Sequence, residues 1–269
     1  MSVDKRLQAE LIATAHRLAD AARPETLAHF RTSALVAEDK SGVEFDPVTV
    51  ADRAAEQAMR DVLSRERPED AILGEEYGKQ SGTTGLTWVL DPIDGTRGYI
   101  SGTPTWGVLI SIADDTGPLF GLIDQPYIGE RFAGGFGVSE FDGPLGKRSL
   151  GCRKGRSLAD ATVLTTFPEV GSDAEGRAFH RVASQSKLTR YGMDCYGYAL
   201  LASGQVDLVI EAGLQPYDIQ APIAVVEAAG GLLTDWEGNP AHNGGRSLAA
   251  ATPALHAEAL ALLQKSLHG

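Results

Sequence analysis

The stretch that decides the fold and the chemistry is Trp88-Val-Leu-Asp-Pro-Ile-Asp-Gly-Thr96. It opens with apolar residues that favour extended backbone, which predicts a buried strand ending at Asp91. Pro92 lacks a backbone donor and bends the chain, so Asp94 can turn its carboxylate towards the same point as Asp91. Two carboxylates this close repel each other unless a cation lies between them. The stretch therefore predicts a cation site at the end of a strand.

The residues within this stretch favour a hard divalent cation and a phosphate. The carboxylates offer only oxygen, and Mg2+ binds through one or two carboxylates together with water and substrate phosphate. The carbonyl of Ile93 is available as a further ligand. Gly95 and Thr96 follow at once, where a helix can start, and the unpaired N–H groups of a helix N-terminus favour phosphate. Taken alone, the Asp-x-x-Asp-Gly pattern also fits an ordinary turn.

Three further acidic residues occupy positions typical of a site at a sheet edge. Glu75 follows a short apolar run and a glycine, at the C-terminal end of a predicted strand, where open α/β sheets place their active sites. Asp52 and Asp218 each stand at or near the start of a predicted helix, where an N-cap role is the alternative. Their combination with one Gly-Thr turn favours the functional interpretation.

Periodicity predicts an α/β protein in two parts. The chain has 269 residues, of which 43% are hydrophobic and 22% charged, as in an ordinary globular protein. We expect an N-terminal α+β domain over 1–150 and a C-terminal α/β domain over 151–269. The Gly-rich basic segment 143–156 between them is an anion patch or, more simply, a hairpin or linker. The predicted helices are 4–22 (ending before Pro24), 51–65, 173–184, 196–203, 218–229 and 253–267. The predicted strands are 71–73, 87–90, 106–113, 119–123, 131–136, 162–165, 206–210, 231–234 and 247–251.

Composition argues against several classes of partner. The formal net charge is −12, from 24 Lys+Arg and 36 Asp+Glu, and disfavours nucleic acid or an anionic membrane surface. The apolar runs fall far short of the ~20 residues that span a bilayer. With no apolar leader and only Cys152 and Cys195, we expect a cytoplasmic protein. The usual nucleotide-loop, serine-nucleophile and zinc motifs are absent from the sequence.

The motifs resemble those of the inositol monophosphatase family. The resemblance rests on Gly-Glu-Glu around Glu75, on Asp91-Pro-Ile-Asp-Gly-Thr96, and on Tyr217-Asp218 followed by Ala229-Gly-Gly231. It covers nearly the whole chain. It implies a five-layered α-β-α-β-α sandwich, usually a homodimer. The activity it implies is that of a Mg2+-dependent, lithium-sensitive phosphomonoesterase that needs no covalent intermediate.

The same resemblance implies a set of metal ligands. Glu75, Asp91 and the carbonyl of Ile93 would hold a first ion. Asp91, Asp94 and Asp218 would hold a second, and a third, weaker ion would touch Glu75. This makes two to three Mg2+ per active site, with Mn2+ as an alternative ion.

Further residues would complete the reaction site. By the same resemblance, Asp52 and Thr96 would orient the attacking water, and the amides of Gly95 and Thr96 would bind the phosphate of a small-molecule monoester. A phosphate monoester is attacked by water in line with its leaving alkoxide, so metal ions and an oriented water suffice for the reaction.

The sequence around this core is most similar to the histidinol-phosphate phosphatases of the family. The stretch from Arg97 to Gly107 departs from the inositol type. Asp194 and Glu211 would place carboxylates on the substrate wall, although a turn and a strand end are their ordinary alternatives. Such a wall favours a substrate that carries an amine, whereas inositol phosphate carries only hydroxyls. Arg190 is a candidate for a second phosphate contact or a subunit contact, and a surface salt bridge fits it equally.

Three functions therefore stand as hypotheses. The first is hydrolysis of L-histidinol phosphate to L-histidinol and phosphate, a step of histidine biosynthesis. The second is a phosphatase of the same fold for inositol 1-phosphate, a sugar phosphate or 3′-phosphoadenosine 5′-phosphate. The third is an inactive binding or assembly protein, which the complete set of candidate ligands disfavours.

Overall fold

Two β-sheets and seven helices alternate in layers in the computed structural model, which describes residues 3–33, 35–39 and 47–268. The helices are α1 (Lys5–His29), α2 (Val50–Glu66), α3 (Thr96–Ile100), α4 (Asp173–Ala183), α5 (Asp194–Ala202), α6 (Pro216–Ala228) and α7 (Pro253–His268). The strands of the first half are β1 (Glu38–Asp39), β2 (Pro47–Val48), β3 (Ala71–Gly74), β4 (Gly78–Gln80), β5 (Thr87–Asp94), β6 (Gly107–Asp114), β7 (Gly117–Gln125), β8 (Glu130–Gly135), β9 (Val138–Gly143) and β10 (Gly146–Ser149). Those of the second half are β11 (Thr162–Thr165), β12 (Leu188–Tyr191), β13 (Leu208–Leu214), β14 (Leu232–Thr234) and β15 (Gly245–Ala250).

The larger sheet has eight strands in the order β10-β9-β8-β7-β6-β5-β3-β4. Its pairs are antiparallel except β3 with β5, which run parallel. The smaller sheet has five strands in the order β12-β11-β13-β15-β14. A separate two-stranded pair joins β1 and β2. The parallel pair matters most, because it brings the ends of β3 and β5 to one edge of the larger sheet.

Three of the four hydrophobic core clusters among the described residues lie between the layers. Leu18 and Met59, of α1 and α2, are fully buried against Trp88 and the rest of one face of the larger sheet. α5 and α6 fill the space between the two sheets. α4 and α7 cover the outer face of the smaller sheet, around Phe179 and Trp236. The order α-β-α-β-α confirms the predicted five-layered sandwich.

Helix α6 lies unusually close to the larger sheet. A Cβ at Gly121 of β7 would stand 2.4 Å from the carbonyl oxygen of Ala221. A Cβ at Gly134 of β8 would stand 2.6 Å from the carbonyl oxygen of Ala224. Because these glycines have no side chain, the helix backbone rests directly on the strands. α6 therefore belongs by sequence to the second half of the chain and by packing to both sheets.

The first helix continues past the point where the sequence predicts its end. A proline inside a helix costs about 3 kcal/mol or more, and we expected α1 to stop before Pro24, but it runs on to His29. Tertiary contacts hold the extra turn. Thr26 is fully buried, and Tyr99 donates its hydroxyl to the carbonyl of Thr26 over 2.6 Å. That prediction was wrong, because burial outweighed the cost of the proline.

The other predicted elements are present with small shifts of their ends. Each predicted helix and each predicted strand overlaps an element of its type, and α5 starts earlier, at Asp194. The basic segment 143–156 starts with the turn and second strand of a hairpin, in which β10 pairs with β9. The division at residue 150 remains a prediction. Among the described residues, no helix combines the length and apolar character that crossing a membrane requires.

Candidate active site

Two strand ends place acidic residues side by side at the edge of the larger sheet. Gly74 of β3 pairs with Leu90 of β5, and the amide of Glu75 donates to the carbonyl of Leu90 over 3.1 Å. Glu75 therefore follows the end of β3, and Asp91 lies beside it in β5, directly after the partner of Gly74. The carboxyl of Glu75 is close enough to raise the pKa of Asp91. This arrangement is what the position of Glu75 after a strand and a glycine predicts.

An irregularity in β5 turns Asp94 towards Asp91. The pairing with β6 shifts register between these two residues. Asp91 accepts a hydrogen bond from the amide of Ile93 over 3.0 Å, which closes a tight turn around Pro92. Asp94 accepts a hydrogen bond of 2.6 Å from the amide of Cys195, at the start of α5. Asp94 is thus fixed from the opposite layer of the molecule.

Helix α6 brings the third carboxylate. Asp218 is the third residue of α6, and its carboxylate accepts a hydrogen bond from the amide of Gln215 over 2.8 Å. The N-cap position itself is occupied by Gln215, so the N-cap alternative for Asp218 is wrong by three residues. Carboxylate oxygens of Asp91, Asp94 and Asp218 all lie within 4.8 Å of one another.

The charges of this cluster are mutually unfavourable. Burial raises the pKa of Asp91 well above its usual range, and the neighbouring carboxylates Glu75, Asp94 and Asp218 raise it further. Burial likewise raises the pKa of Asp94, with Asp218 and Asp194 adding to the effect. A cation would relieve this repulsion. The donors are all oxygen, which suits a hard ion such as Mg2+ and differs from the nitrogen and sulfur sets typical of zinc.

Asp52 and Thr96 meet beside the carboxylate cluster. Thr49 caps α2, and Asp52 accepts hydrogen bonds on Oδ2 from the amide and hydroxyl of Thr49 over 2.9 and 2.6 Å. Asp52 is therefore the third residue of α2, where it completes the capping box with Thr49, and it is not the N-cap itself. Its Oδ1 lies 3.5 Å from the hydroxyl of Thr96, which is also 3.1 Å from the carbonyl of Ile93. Because the hydroxyl has one proton, it donates to one of the two acceptors at a time.

Gly95 is the point where the chain leaves β5 and enters α3. Its φ of 86° is left-handed, and a Cβ there would stand 2.6 Å from Cγ of Asp194. Only glycine satisfies both conditions. Asp194 itself has a φ of 48° and accepts a hydrogen bond from the hydroxyl of Thr105 over 3.0 Å. Burial raises the pKa of Asp194. The structure therefore packs Asp194 against the predicted phosphate turn.

Asp94, Gly95, Thr96, Asp194 and Asp218 border a cleft of about 710 Å³. Of the described residues that line the cleft, five are acidic and one, Arg97, is basic. The acidic ones are Asp94, Glu169, Asp194, Glu211 and Asp218. The polar and apolar remainder includes Thr96, Thr166, Phe167, Cys195, Tyr198 and Leu214. A cleft of this charge favours cations.

Glu211 lies on the wall of this cleft, in the middle of β13, where the pairing with β15 becomes irregular. Its carboxylate accepts hydrogen bonds from the amide and hydroxyl of Thr166 over 2.8 and 2.9 Å, and from the hydroxyl of Thr165 over 3.2 Å. Only 6% of Glu211 is exposed. Burial raises its pKa to about 7, although the hydrogen bonds from Thr166 oppose that shift. Glu211 therefore titrates near neutral pH.

The structure also shows what sequence reasoning missed. Arg97 lies with its guanidinium carbon 4.9 Å from the ring centroid of Phe167, and both side chains line the cleft. Phe167 follows β11 in a loop, where no periodicity marks it. Arg190, by contrast, lies exposed on β12 and is not among the described residues that line the cleft. The predicted role of Arg190 in the site therefore stays a prediction.

Known proteins resemble the chain over nearly its whole length. A sequence profile of the inositol monophosphatase family matches residues 7–268. The bifunctional phosphatase IMPL2 (chloroplastic) of Arabidopsis thaliana is 42% identical over 228 residues, which cover 84% of this chain and 64% of that protein. The histidinol-phosphatase of Streptomyces coelicolor is 36% identical over 262 residues, 93% of this chain and 96% of that protein. The solved structure of an inositol monophosphatase from Zymomonas mobilis is 39% identical, with a TM-score of 0.83 over 94% of this chain and 97% of that chain.

Proposed function

The chain belongs to the inositol monophosphatase family and is a phosphoric monoester hydrolase, and we propose that its preferred substrate is L-histidinol phosphate. Enzymes of this family generally depend on a divalent metal ion, Mg2+. The products would be L-histidinol and phosphate, in a step of histidine biosynthesis. The observation that carries the proposal is the pair of carboxylates, Asp194 and Glu211, on the wall of an already acidic cleft.

The carboxylate cluster would hold the metal ions. Glu75, Asp91 and the carbonyl of Ile93 would bind one Mg2+, and Asp91, Asp94 and Asp218 a second. A third, weaker ion would contact Glu75, and Mn2+ would be able to replace Mg2+. When bound, these ions neutralise phosphoryl oxygens, lower the pKa of a bound water and stabilise the leaving oxygen. The closeness of the carboxylate oxygens, within 4.8 Å, and their raised pKa values support this assignment.

Asp52 and Thr96 would orient the attacking water. When the hydroxyl of Thr96 donates to Asp52, a lone pair on its oxygen is left to accept a hydrogen bond from water. Asp52 is held for this role by Thr49, which donates twice to its other oxygen. The amides of Gly95 and Thr96 would bind the phosphate. None of these steps needs a covalent intermediate.

Asp194 and Glu211 would recognise the cationic end of the substrate. Histidinol phosphate carries an amine and an imidazole, and a carboxylate that is already desolvated interacts strongly with a cation. Glu211 is fixed by Thr165 and Thr166, and Asp194 by Thr105. Their geometry is therefore set before the substrate arrives, which reduces the entropic cost of binding.

The second candidate is another small phosphomonoester, above all inositol 1-phosphate. The likeness to the inositol monophosphatase from Zymomonas mobilis supports it. A polyol, however, would leave the charge of Asp194 and Glu211 without a cationic partner. Sugar phosphates and 3′-phosphoadenosine 5′-phosphate carry the same disadvantage. An inactive binding protein would not need the full set of carboxylates around Asp91.

Phosphate release from a substrate panel tests the proposal. The panel is histidinol phosphate, inositol 1-phosphate, fructose 1,6-bisphosphate and 3′-phosphoadenosine 5′-phosphate, each with Mg2+, with chelator and with added Li+. We expect the highest kcat/KM for histidinol phosphate, loss of all turnover with chelator, and inhibition by Li+. A preference for inositol 1-phosphate, or equal rates throughout, would keep the metal site and refute the recognition role of Asp194 and Glu211.

We also propose a homodimer. Arg190 is exposed on the edge strand β12 and is not among the described residues that line the cleft, so a subunit contact suits it better than a phosphate contact. Sedimentation of the wild type and of Arg190→Glu tests this role. A wild-type monomer would refute the dimer, and an unchanged dimer in the variant would remove Arg190 from the interface.

A further inference from the structure

We infer that Glu56 of α2 is a positioning residue for the metal site, because it holds the turn that presents Glu75. The carboxylate of Glu56 is fully buried. It accepts hydrogen bonds from the amide of Glu76 over 2.7 Å and from the amide of Tyr77 over 3.2 Å. These are the two backbone donors that directly follow Glu75. The inference rests on the proposed role of Glu75 as a metal ligand.

The carboxylate of Glu56 also lies close to Gly74, the residue before Glu75. A Cβ at Gly74, the last residue of β3, would stand 2.0 Å from Oε1 of Glu56. A side chain at this position would therefore displace the carboxylate, so the glycine is needed for the contact. Glu56 thus touches the chain on both sides of Glu75, and the peptide units that flank Glu75 have little freedom to move.

Arg60 closes the far end of the turn. Its Nε donates to Oε1 of Glu56 over 2.7 Å, and its Nη2 donates to the carbonyl of Gly78 over 2.6 Å. The guanidinium carbon also lies 5.9 Å from the ring centroid of Tyr77. Arg60 compensates the buried charge of Glu56 and binds the first residue of β4. The turn between β3 and β4 is therefore clamped at both ends by one helix.

The spacing of residues along α2 explains why one helix makes all of these contacts. Asp52, Glu56 and Arg60 are each four residues apart, so they share one face of the helix. Asp52 reaches Thr96 on one side of the carboxylate cluster, and Glu56 reaches the turn of Glu75 on the other. A single rigid element thus sets both groups relative to each other. A purely stabilising role would not require Glu56 to face the turn of Glu75, since a buried ion pair often contributes little net free energy to folding.

Substitution by glutamine tests the role of Glu56. Gln has one acceptor oxygen, whereas the carboxylate serves three donors, so Glu56→Gln leaves the turn of Glu75 incompletely held. We expect the Mg2+ concentration for half-maximal activity to rise about tenfold or more, as is typical when a residue supporting a metal ligand is lost. Calorimetry should show the same loss in Mg2+ affinity. The KM for substrate at saturating Mg2+ should change little.

Asp70 supplies the matched control. It is a buried carboxylate that pairs with Arg67 over 2.7 Å and accepts from the indole of Trp88 over 2.9 Å, at the opposite end of β5. Asp70→Asn removes a comparable buried charge without touching the turn of Glu75. We expect it to lower the melting temperature and leave Mg2+ affinity unchanged.

The outcomes separate the possibilities. If Glu56→Gln loses stability but keeps wild-type Mg2+ affinity, as Asp70→Asn does, Glu56 is structural only and the inference is overturned. If Glu56→Gln does not fold, Arg60→Lys decides, because it keeps the charge but cannot donate to Glu56 and to the carbonyl of Gly78 with the two nitrogens of one guanidinium. Reduced Mg2+ affinity in that variant supports the clamp, and wild-type affinity refutes it. A wild-type protein that binds no Mg2+ would instead refute the proposed function.

Discussion

Substrate binding through Glu211 should depend on pH. Its pKa is raised to about 7 by burial, and Thr165 and Thr166 hold its carboxylate in the cleft wall. If the ionised carboxylate of Glu211 binds the cationic end of histidinol phosphate, a protonated Glu211 must lose its proton when the substrate binds. Affinity must then weaken as the pH falls through 7. Glu211→Gln removes the titration and keeps the shape of the side chain.

The size of the effect follows from the pKa. With a pKa of about 7, about a tenth of Glu211 is ionised at pH 6 and about nine-tenths at pH 8. If only the ionised form binds the cation, the wild-type KM contributed by this group changes about tenfold between these values. The ratio of the KM of Glu211→Gln to that of the wild type should be near one at pH 6 and about tenfold higher at pH 8.

The ratio is the quantity to measure, because titration of the substrate imidazole cancels in it. Initial rates of phosphate release at saturating Mg2+ give both KM values across this pH range. Inositol 1-phosphate serves as the control substrate, since it has no cation to bind and its ratio should not follow the same curve. A ratio for histidinol phosphate that stays constant with pH would refute the role of Glu211.

Stability gives an independent check of the same pKa. The pKa of Glu211 is higher in the folded protein than its ordinary value of 4.5, so the folded state binds the proton more tightly than the unfolded one. The stability associated with the protonated carboxyl is therefore lost as the pH rises from about 4.5 to about 7. Relative to the wild type, Glu211→Gln should gain melting temperature over that interval. An unchanged difference would show that the carboxyl is not buried as described.

Three further predictions address the rest of the site and the fold. Asp94→Asn should abolish turnover and weaken Mg2+ binding in calorimetry while circular dichroism stays native; near-normal activity would remove Asp94 from the metal site. Asp194→Ala should raise the KM for histidinol phosphate more than that for inositol 1-phosphate, and an equal effect on both would exclude Asp194 from recognition. Gly121→Ala should lower stability by about 1–3 kcal/mol, because its Cβ would lie 2.4 Å from the carbonyl oxygen of Ala221; an unchanged denaturant midpoint would contradict the close packing of α6.

Local patterns predicted the part of the site that lies on neighbouring strands. The strand before Asp91, the bend at Pro92 and the glycine before Glu75 each have a local physical cause, and the structure puts these residues at one sheet edge. Asp218 is different. Its distance from Asp91 depends on how α6 packs across the sheet, and spacing in the sequence contains no such information. Its position at a predicted helix start made Asp218 a candidate, the family resemblance implied its role as a metal ligand, and the packing of α6 shows how it reaches the cluster.

Two kinds of feature could not be read from the sequence at all. Phe167 lies in a loop, where side-chain orientation depends on the surrounding layers and not on a local period. Glu56 and Arg60 resemble the solvated polar face of an ordinary amphipathic helix, since charges four residues apart are common there. Only the burial of Glu56 distinguishes it. The failure at Pro24 has the same origin, because the extra turn of α1 is stabilised by Tyr99, far away along the chain.

The placement of α6 has a consequence for how the molecule could be divided. Glu75, Asp91 and Asp94 come from the first half of the chain, while Asp218 comes from a helix that rests on the sheet of that first half. A chain cut in the connection after β10 would yield two fragments, and neither fragment would contain the complete carboxylate cluster. Phosphate release would then occur only when both fragments reassociate. The two halves would therefore form a split reporter: when each is fused to a different protein, phosphate release reports that the two fused proteins have associated.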